Sequence, residues 1–266
     1  MSLDKFYTKK EVAKNCVESL TKFFPLSFFQ VIIEPSAGDG AFLDYLPTNR
    51  IALDIEPERE DITKEDWFNY TKKHQEKTLV IGNPPFGLRS SLAKRFIQHA
   101  ITIGADVVAF ILPETFKKLS NQSTKIFPTT FKLIEIFDLP KNSFLKEGQS
   151  YHVNCSFFIW VKQELALEFK DLRKKKIPMS EDFVFLNRGD IKADFCINGN
   201  NGKIREVSEI TNSKAEHYIQ AKKYTKEELI KIFSQLEYEW LSSVSGGNAW
   251  IGRQEILEAY TKKLNS

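Results

Sequence analysis

The segment GNPPF, Gly82 to Phe86, sets an amide side chain beside two stiff backbone units and an aromatic ring. Neither Pro84 nor Pro85 can donate a backbone hydrogen bond, and each restricts the residue before it. Such a loop suits a carbonyl that must be held still. The Asn83 side-chain oxygen and the Pro84 carbonyl form an acceptor pair for the two hydrogens of an exocyclic nucleobase amine, whose lone pair is delocalised into the ring. Accepting both hydrogens favours a pyramidal nitrogen with its lone pair aimed at an electrophile. Phe86 would stack on the base and hold it outside a helix.

A second constellation precedes it. EPSAGDGAF follows a β-rich run, and Gly38 and Gly40 let the backbone turn sharply and approach a ligand closely. A third glycine and a Walker lysine are both missing, which disfavours dinucleotide and phosphate-loop readings. Glu34, at the strand tip, would repel a pyrophosphate but attract a cation or accept hydrogen bonds. Asp54 ends the next run, IALDIEP, where a carboxylate accepts both hydroxyls of a ribose or is simply a solvated strand-end acid. Asp66 and Trp67 offer an acceptor and an apolar face of the kind an adenine needs, or are a surface acid beside a core tryptophan.

The elements that must position these groups alternate. KKEVAKNCVESLTKFF has helical spacing over about Lys9 to Phe23, FFQVII reads as a strand, and EPSAGDGAFLDYL reads as a turn into a short helix. RIALDIEP and TLVIGNPPF follow as strands, SLAKRFIQHAITIG as a helix, and ADVVAFILP, FKLIEIFDLP and VNCSFFIWVK as further strands. Strands alternating with helices predict an α/β, doubly wound sheet. Ligands in such sheets sit beyond the carboxyl ends of the strands, where Glu34, Asp54 and Asn83 all fall. After the charged stretch LEFKDLRKKKIP, Asn-Gly signals at 198 to 202 predict short antiparallel strands. Leu229, Ile232, Phe233, Leu236 and Trp240 form a helical stripe.

The chain has 266 residues, 42% apolar and 27% charged, a globular composition rather than a disordered one. A net charge of +3 permits a nucleic-acid partner without demanding one. Cys16, Cys155 and Cys196 are an odd count with no metal-ligand spacing, so neither a disulfide framework nor a zinc site is expected. With no apolar leader and no run of transmembrane length, the reading is a cytoplasmic protein with no membrane contact.

EPSAGDGAF, IALDIEP, EDWFN and GNPPF, in that order, resemble the S-adenosylmethionine-dependent amino-methyltransferases, specifically the N6-adenine DNA methyltransferases. KFYTKKEVA resembles the leader of the class whose cofactor motifs precede the catalytic one, with Lys9 in place of the usual proline. The resemblance covers residue 5 to about residue 162. It implies a Rossmann-like methyltransferase sheet with S-adenosyl-L-methionine as cofactor. Phe6, Tyr7 and Thr8 would contact the methionine end, and Glu34, Ser36 and Gly38 would line the pocket. Asp54 would bind the ribose, and Asp66 and Trp67 the cofactor adenine. Asn83, Pro84, Pro85 and Phe86 would hold the target adenine, flipped out of duplex DNA, with Phe157 or Phe158 as a second aromatic. No metal is required, because the sulfonium carbon is already electrophilic.

The expected organisation is a catalytic domain over 1–165 and a small α+β DNA-recognition region over 166–266. Arg173 to Lys176, Lys192, Arg205, Lys222, Lys223 and Arg253 are candidate phosphate contacts, and Asn248 and Trp250 candidate groove contacts; solvated faces and a simple loop are the plainer explanations. The leading function is site-specific DNA adenine-N6 methylation, including in a restriction-modification setting. An RNA adenine-N6 methyltransferase is the alternative. A protein glutamine-N5 methyltransferase fits less well, since those enzymes carry tyrosine where this chain has Phe86. A non-catalytic nucleic-acid-binding module would be expected to have lost the glycines or the asparagine, and both motifs are intact.

Overall fold

Runs such as VVAFILP and CSFFIWVK have no polar side to show to water, so any strand they form must be covered on both faces. In the computed structural model, which describes residues 6–210, 213–238 and 250–265, two compact units separate, Met1–Lys174 and Lys175–Ser266. The first unit opens with β1 (Tyr7–Thr8) and α1 (Lys10–Thr21), followed by β2 (Val31–Glu34), β3 (Ile51–Asp54), β4 (Thr63–Lys64) and β5 (Thr78–Gly82). Helix α2 (Ser91–Thr102) leads to β6 (Val107–Pro113), β7 (Phe131–Asp138), β8 (Phe144–Lys146), β9 (Gln149–Tyr151) and β10 (Cys155–Lys162).

Seven of these strands form one sheet in the order β4-β3-β2-β5-β6-β10-β7. The pairs β2 with β3, β3 with β4, β2 with β5 and β5 with β6 are parallel. Strand β10 runs antiparallel to both its neighbours, β6 and β7. The order therefore reverses direction of growth at β2 and β5, and that switch point is where a doubly wound sheet opens a crevice for ligands. This is a Rossmann-like, doubly wound arrangement.

Alternate side chains of each strand feed two apolar layers. Ile32, Leu79, Ile111, Phe157 and Ile159 pack on one face with Val12, Cys16, Val17 and Leu20 of α1. Ile33, Val80, Val108, Phe158 and Trp160 pack on the other with Ala93, Phe96, Ile97 and Ala100 of α2. Helices thus cover both faces, as the uninterrupted apolar runs require. Burying each large apolar side chain here contributes about 1.5–3 kcal/mol.

Two expectations need correction. The short helix after the glycine-rich turn is 3-10 rather than α. Among residues 35–50 only Leu43–Tyr45 make a single 3-10 turn, because Gly38 takes φ 54° and Gly40 φ 79°, and Pro47 ends the segment before an α-helix could gain length. Phe157 and Phe158 are both fully buried. Strand β10 lies between two partners and under two apolar layers, so neither ring is left for a flipped base.

Arg173 is also unlike its expected role. Its guanidinium donates to the Pro128 and Phe131 carbonyls, at 3.2 and 2.7 Å, and lies 4.9 Å from the Trp160 ring centroid. It clasps the tail of the first unit to the sheet rather than facing a phosphate.

In the second unit, β11 (Phe183–Phe185), β12 (Phe195–Asn198), β13 (Ile204–Arg205) and β14 (Glu216–Ala221) make an antiparallel sheet in the order β11-β14-β12-β13. Strands β12 and β13 pair across the Asn-Gly signals. Helices α3 (Lys226–Phe233) and α4 (Arg253–Leu264) complete a core of Phe183, Phe195, Ile197, Ile219, Leu229, Phe233, Leu257 and Tyr260. Thr225 starts α3 through a reciprocal capping box with Glu228. Trp240 and Asn248 lie outside the described residues. Trp250 is covered on one side, packing on His217 and over Gly199.

His217 makes this unit acid-sensitive. Its Nε2–H donates to the Ile251 carbonyl at 2.7 Å, and burial is the main cause that holds its pKa below the ordinary 6.5. A depressed folded value means the unfolded chain binds the proton more readily. The stabilisation is therefore present above pH 6.5 and is lost as pH falls below it. Thermal unfolding followed from pH 8 to pH 5 should show stability falling below pH 6.5, and His217→Gln should flatten that fall.

Among the described residues, no helix is long and apolar enough to cross a membrane. The three cysteines are free and buried.

Candidate active site

Strands β3, β2 and β5 are neighbours and parallel, so their carboxyl ends bring Asp54, Glu34 and Asn83 to one edge of the sheet. Gly82 ends β5 with φ 148°, and a Cβ there would stand 3.2 Å from the Glu34 Cγ. Glycine is required on both counts: it lets the chain break out of the strand and lets Glu34 lie against it.

Asn83 is held from two sides. Its Nδ2 donates to the Thr8 hydroxyl at 3.1 Å, and its backbone carbonyl accepts from the Ser36 hydroxyl at 3.2 Å. The side-chain oxygen, Oδ1, is buried and has no hydrogen-bond partner among the described residues. A buried acceptor without a partner costs about 1–3 kcal/mol, a cost that is recovered when a donor arrives. Pro84 is buried, Pro85 and Phe86 are half-buried, and the Phe86 carbonyl accepts the Leu92 and Ala93 amides at the start of α2. The loop is thereby anchored at both ends.

The glycine turn is tied to Asp54. The Gly38 amide donates to Asp54 Oδ2 and the Glu56 amide to Oδ1, both at 2.8 Å. Each carboxylate oxygen keeps a lone pair for a further donor. Gly38 has φ 54°, and a Cβ on it would meet the Tyr7 ring at 3.2 Å, so Tyr7 lies directly over the turn. The Tyr7 hydroxyl donates to Glu58 Oε1; burial first, and then that bond, push its pKa up. Strand β1 therefore links the turn, through Tyr7, to the amide, through Thr8.

Glu34 is 2% exposed, and its Oε2 is a second buried oxygen with no partner among the described residues. Burial holds its pKa well above the carboxylate range, with Asp39 and Asp54 adding to the effect. Asp39 is also raised, again chiefly by burial. Glu34, Asp39 and Asp54 gather at this edge, and a ligand carrying positive charge near a diol would offset the mutual repulsion that helps hold the Glu34 pKa up. S-adenosylmethionine fits that donor set: a cationic sulfonium and amine for the acids, a ribose for Asp54.

Removing the ionisable group at Glu34 should separate folding from binding. A folded-state pKa above the unfolded one means stability falls as pH climbs from the ordinary carboxylate range towards the raised value. Glu34→Gln removes the ionisable group, so without ligand the variant should gain on the wild type as pH rises above the ordinary carboxylate range. Thermal melts across pH, with and without S-adenosylmethionine, would show this; the variant should also lose most of the ligand's stabilising effect.

Asp66 reaches the same edge, because the Glu65 amide donates to the Asp54 carbonyl at 2.9 Å. Its Oδ1 accepts the Phe68 amide, also at 2.9 Å. Trp67 is not at the edge: it is 1% exposed, stacks on Tyr70 and meets His99 edge-on. The indole is core, so any adenine contact from this segment falls to Asp66 and the backbone. Phe6 is likewise engaged, stacked on Tyr151.

One group escaped the sequence reading. Arg59 donates to the Gly40 carbonyl at 3.2 Å and to Asp44 at 2.7 Å, and pairs with both oxygens of Asp61 at 2.9 Å. It pins the far side of the glycine turn. An arginine in a charged stretch, PEREDI, gives no local sign of such a task.

Residues 51–151 match the EDM2 methyltransferase-like domain family. The protein ENHANCED DOWNY MILDEW 2 of Arabidopsis thaliana is 26% identical over 129 residues, 45% of this chain. The chain spans only 10% of the length of that curated relative. Among solved structures, a candidate RNA methyltransferase from Pyrococcus horikoshii overlaps 60% of this chain and 87% of its own, with TM-score 0.48 and 16% identity. The modification subunit of a candidate type I restriction enzyme from Vibrio vulnificus overlaps 60% of this chain and 45% of its own, with TM-score 0.46 and 15% identity. The strand order, rather than these partial overlaps, establishes the fold class. Residues 51–151, which are similar to a methyltransferase-like domain, lie on a Rossmann-like sheet.

Proposed function

We propose that the protein is an S-adenosylmethionine-dependent DNA adenine-N6 methyltransferase that acts on an adenine flipped out of the duplex. The observation that carries this reading is Asn83 Oδ1, a buried acceptor without a partner, on an amide whose other end is fixed by Thr8. Glu34, Asp39 and Asp54 would hold the cofactor, with Tyr7 over the glycine turn and Asp66 near its adenine. When bound, the cofactor supplies a methyl group that is already electrophilic.

The chain's own residues then have to align and desolvate. Asn83 Oδ1 and the Pro84 carbonyl accept the two amine hydrogens and turn the nitrogen lone pair outward. Phe86, half-buried at the lip, gives the base a face to stack on. Pro84 and Pro85 keep the carbonyl from drifting as the amine pyramidalises. Residues 175–266 would supply much of the sequence recognition, with Lys192, Lys222 and Arg253 among the groups near phosphates. Four of the candidate cations already have partners: Arg205 pairs with Glu216 at 3.5 Å and Lys223 with Glu181 at 2.6 Å, Lys222 donates to Gln220 at 2.9 Å, and Arg253 donates to the Leu186 carbonyl at 3.0 Å.

The test is to supply methyl-labelled S-adenosylmethionine together with DNA, RNA and protein and ask which takes up label. Label in DNA supports the reading. Label confined to RNA would keep the chemistry and change the substrate, and label in protein glutamine would move the enzyme to the amide-methylating class.

A further inference from the structure

Strand β1 does more than carry residues to the cofactor turn. It pairs antiparallel with β8, Tyr7 opposite Leu145 and Thr8 opposite Phe144, and β8 pairs with β9 to make a three-stranded sheet separate from the main one. The β8–β9 hairpin turns through Glu147 and Gly148, both with positive φ. All three residues of β9 are exposed. Tyr151, 39% exposed, stacks on Phe6 with ring centroids 4.8 Å apart and planes within 14°. The Lys146 ammonium lies 5.4 and 5.7 Å from those two rings. Lys9 reaches the same strand, its ammonium 2.9 Å from the Ser150 hydroxyl, and Lys141 is exposed just before β8.

We propose that the β8–β9 hairpin is a docking surface for the DNA strand next to the flipped adenine, with Tyr151 offering a stacking face and Lys146, Lys9 and Lys141 meeting phosphates. The proposal rests on the reading of the protein as a DNA methyltransferase. The charge balance points to a polyanion: three lysines against two carboxylates, Glu147 at the tip of the turn and Glu58 on the Tyr7 hydroxyl. A paired aromatic platform beside lysines is the combination that unpaired nucleic acid uses, since every base has a face to stack and every nucleotide a charge. Placement supports the same occupant. Thr8 lies in the strand bound to β8 and is the residue that holds the Asn83 amide, so a strand on this hairpin is one β-strand away from the reacting base.

The test measures anisotropy of fluorescein-labelled duplex and single-stranded DNA at two salt concentrations, on wild type, Tyr151→Ala and Lys146→Gln. Tyr151→Ala should bind about tenfold more weakly. Lys146→Gln should weaken binding and lower the salt slope for single-stranded DNA by about 0.7. Both should keep the wild-type affinity for S-adenosylmethionine, measured by equilibrium dialysis, which also shows that they fold. Unchanged DNA affinity and salt slope in both variants, with the wild type methylating DNA, would overturn the hairpin as a docking surface and leave the enzymatic reading standing. Wild type that binds DNA through the hairpin yet transfers no methyl group to it would support the surface and overturn the enzymatic reading. Wild type that neither binds nor methylates DNA would overturn both.

Discussion

Asn83→Ala should lower the methyl-transfer rate by about 10²–10³-fold, the usual effect of removing one preorganised polar partner from a transition state. The loss should fall on kcat rather than on cofactor affinity, because the carboxylates and the glycine turn do not depend on the amide. Folding should be nearly unaffected or slightly improved. Alanine removes a buried oxygen that has no partner among the described residues, while the Thr8 hydroxyl loses one donor. Single-turnover transfer, cofactor dialysis and a thermal melt on the same preparation would show this split. Asn83→Asp is the more exacting comparison: it keeps an acceptor but cannot donate to Thr8 when ionised, so it should fall between alanine and wild type.

Asp54→Ala should behave in the opposite way. It removes the acceptor for two backbone amides, Gly38 and Glu56, and, on the proposed reading, the acceptor for the ribose hydroxyls. Hydrogen bonds to a charged acceptor contribute about 1.5–3 kcal/mol each, so cofactor affinity should drop by about 10²-fold or more. The glycine turn should also loosen, at a cost of about 1–3 kcal/mol for each donor left without a partner. Hydrogen exchange at Gly38 and Glu56 would report this directly, and near-wild-type exchange there would count against Asp54 as the organiser of the turn. Asp54→Asn retains one acceptor oxygen and should recover part of both losses.

The sheet was legible because its physics is local. VVAFILP is apolar at every position and CSFFIWVK at all but Ser156 and Lys162, a pattern that two-sided burial satisfies. The ends of β2, β3 and β5 therefore followed, and with them the common edge shared by Glu34, Asp54 and Asn83. Strands β1, β8 and β9 were not legible. Two or three residues carry no periodicity, and their pairing depends on segments far apart in the chain. Phe157 and Phe158 could be read two ways, since alternation alone does not say whether a strand is central or at an edge; the position of β10 between β6 and β7 decides it. Trp67 had the same ambiguity, resolved by its edge contact with His99 and its place under α2. Arg59 gave no signal, because a clamp built on one side chain and three partners is a property of the folded chain.

The central claim is that Asn83 presents its oxygen to an amine on adenine, and the most direct measurement is of the product. DNA treated with S-adenosylmethionine and either wild type or Asn83→Ala, digested to nucleosides and analysed by mass spectrometry, gives the identity of the methylated atom. N6-methyladenine is expected with the wild type and at least a hundredfold less with the variant. Methylation at another atom, or N6-methyladenine formed equally well without the Asn83 amide, would contradict the claim.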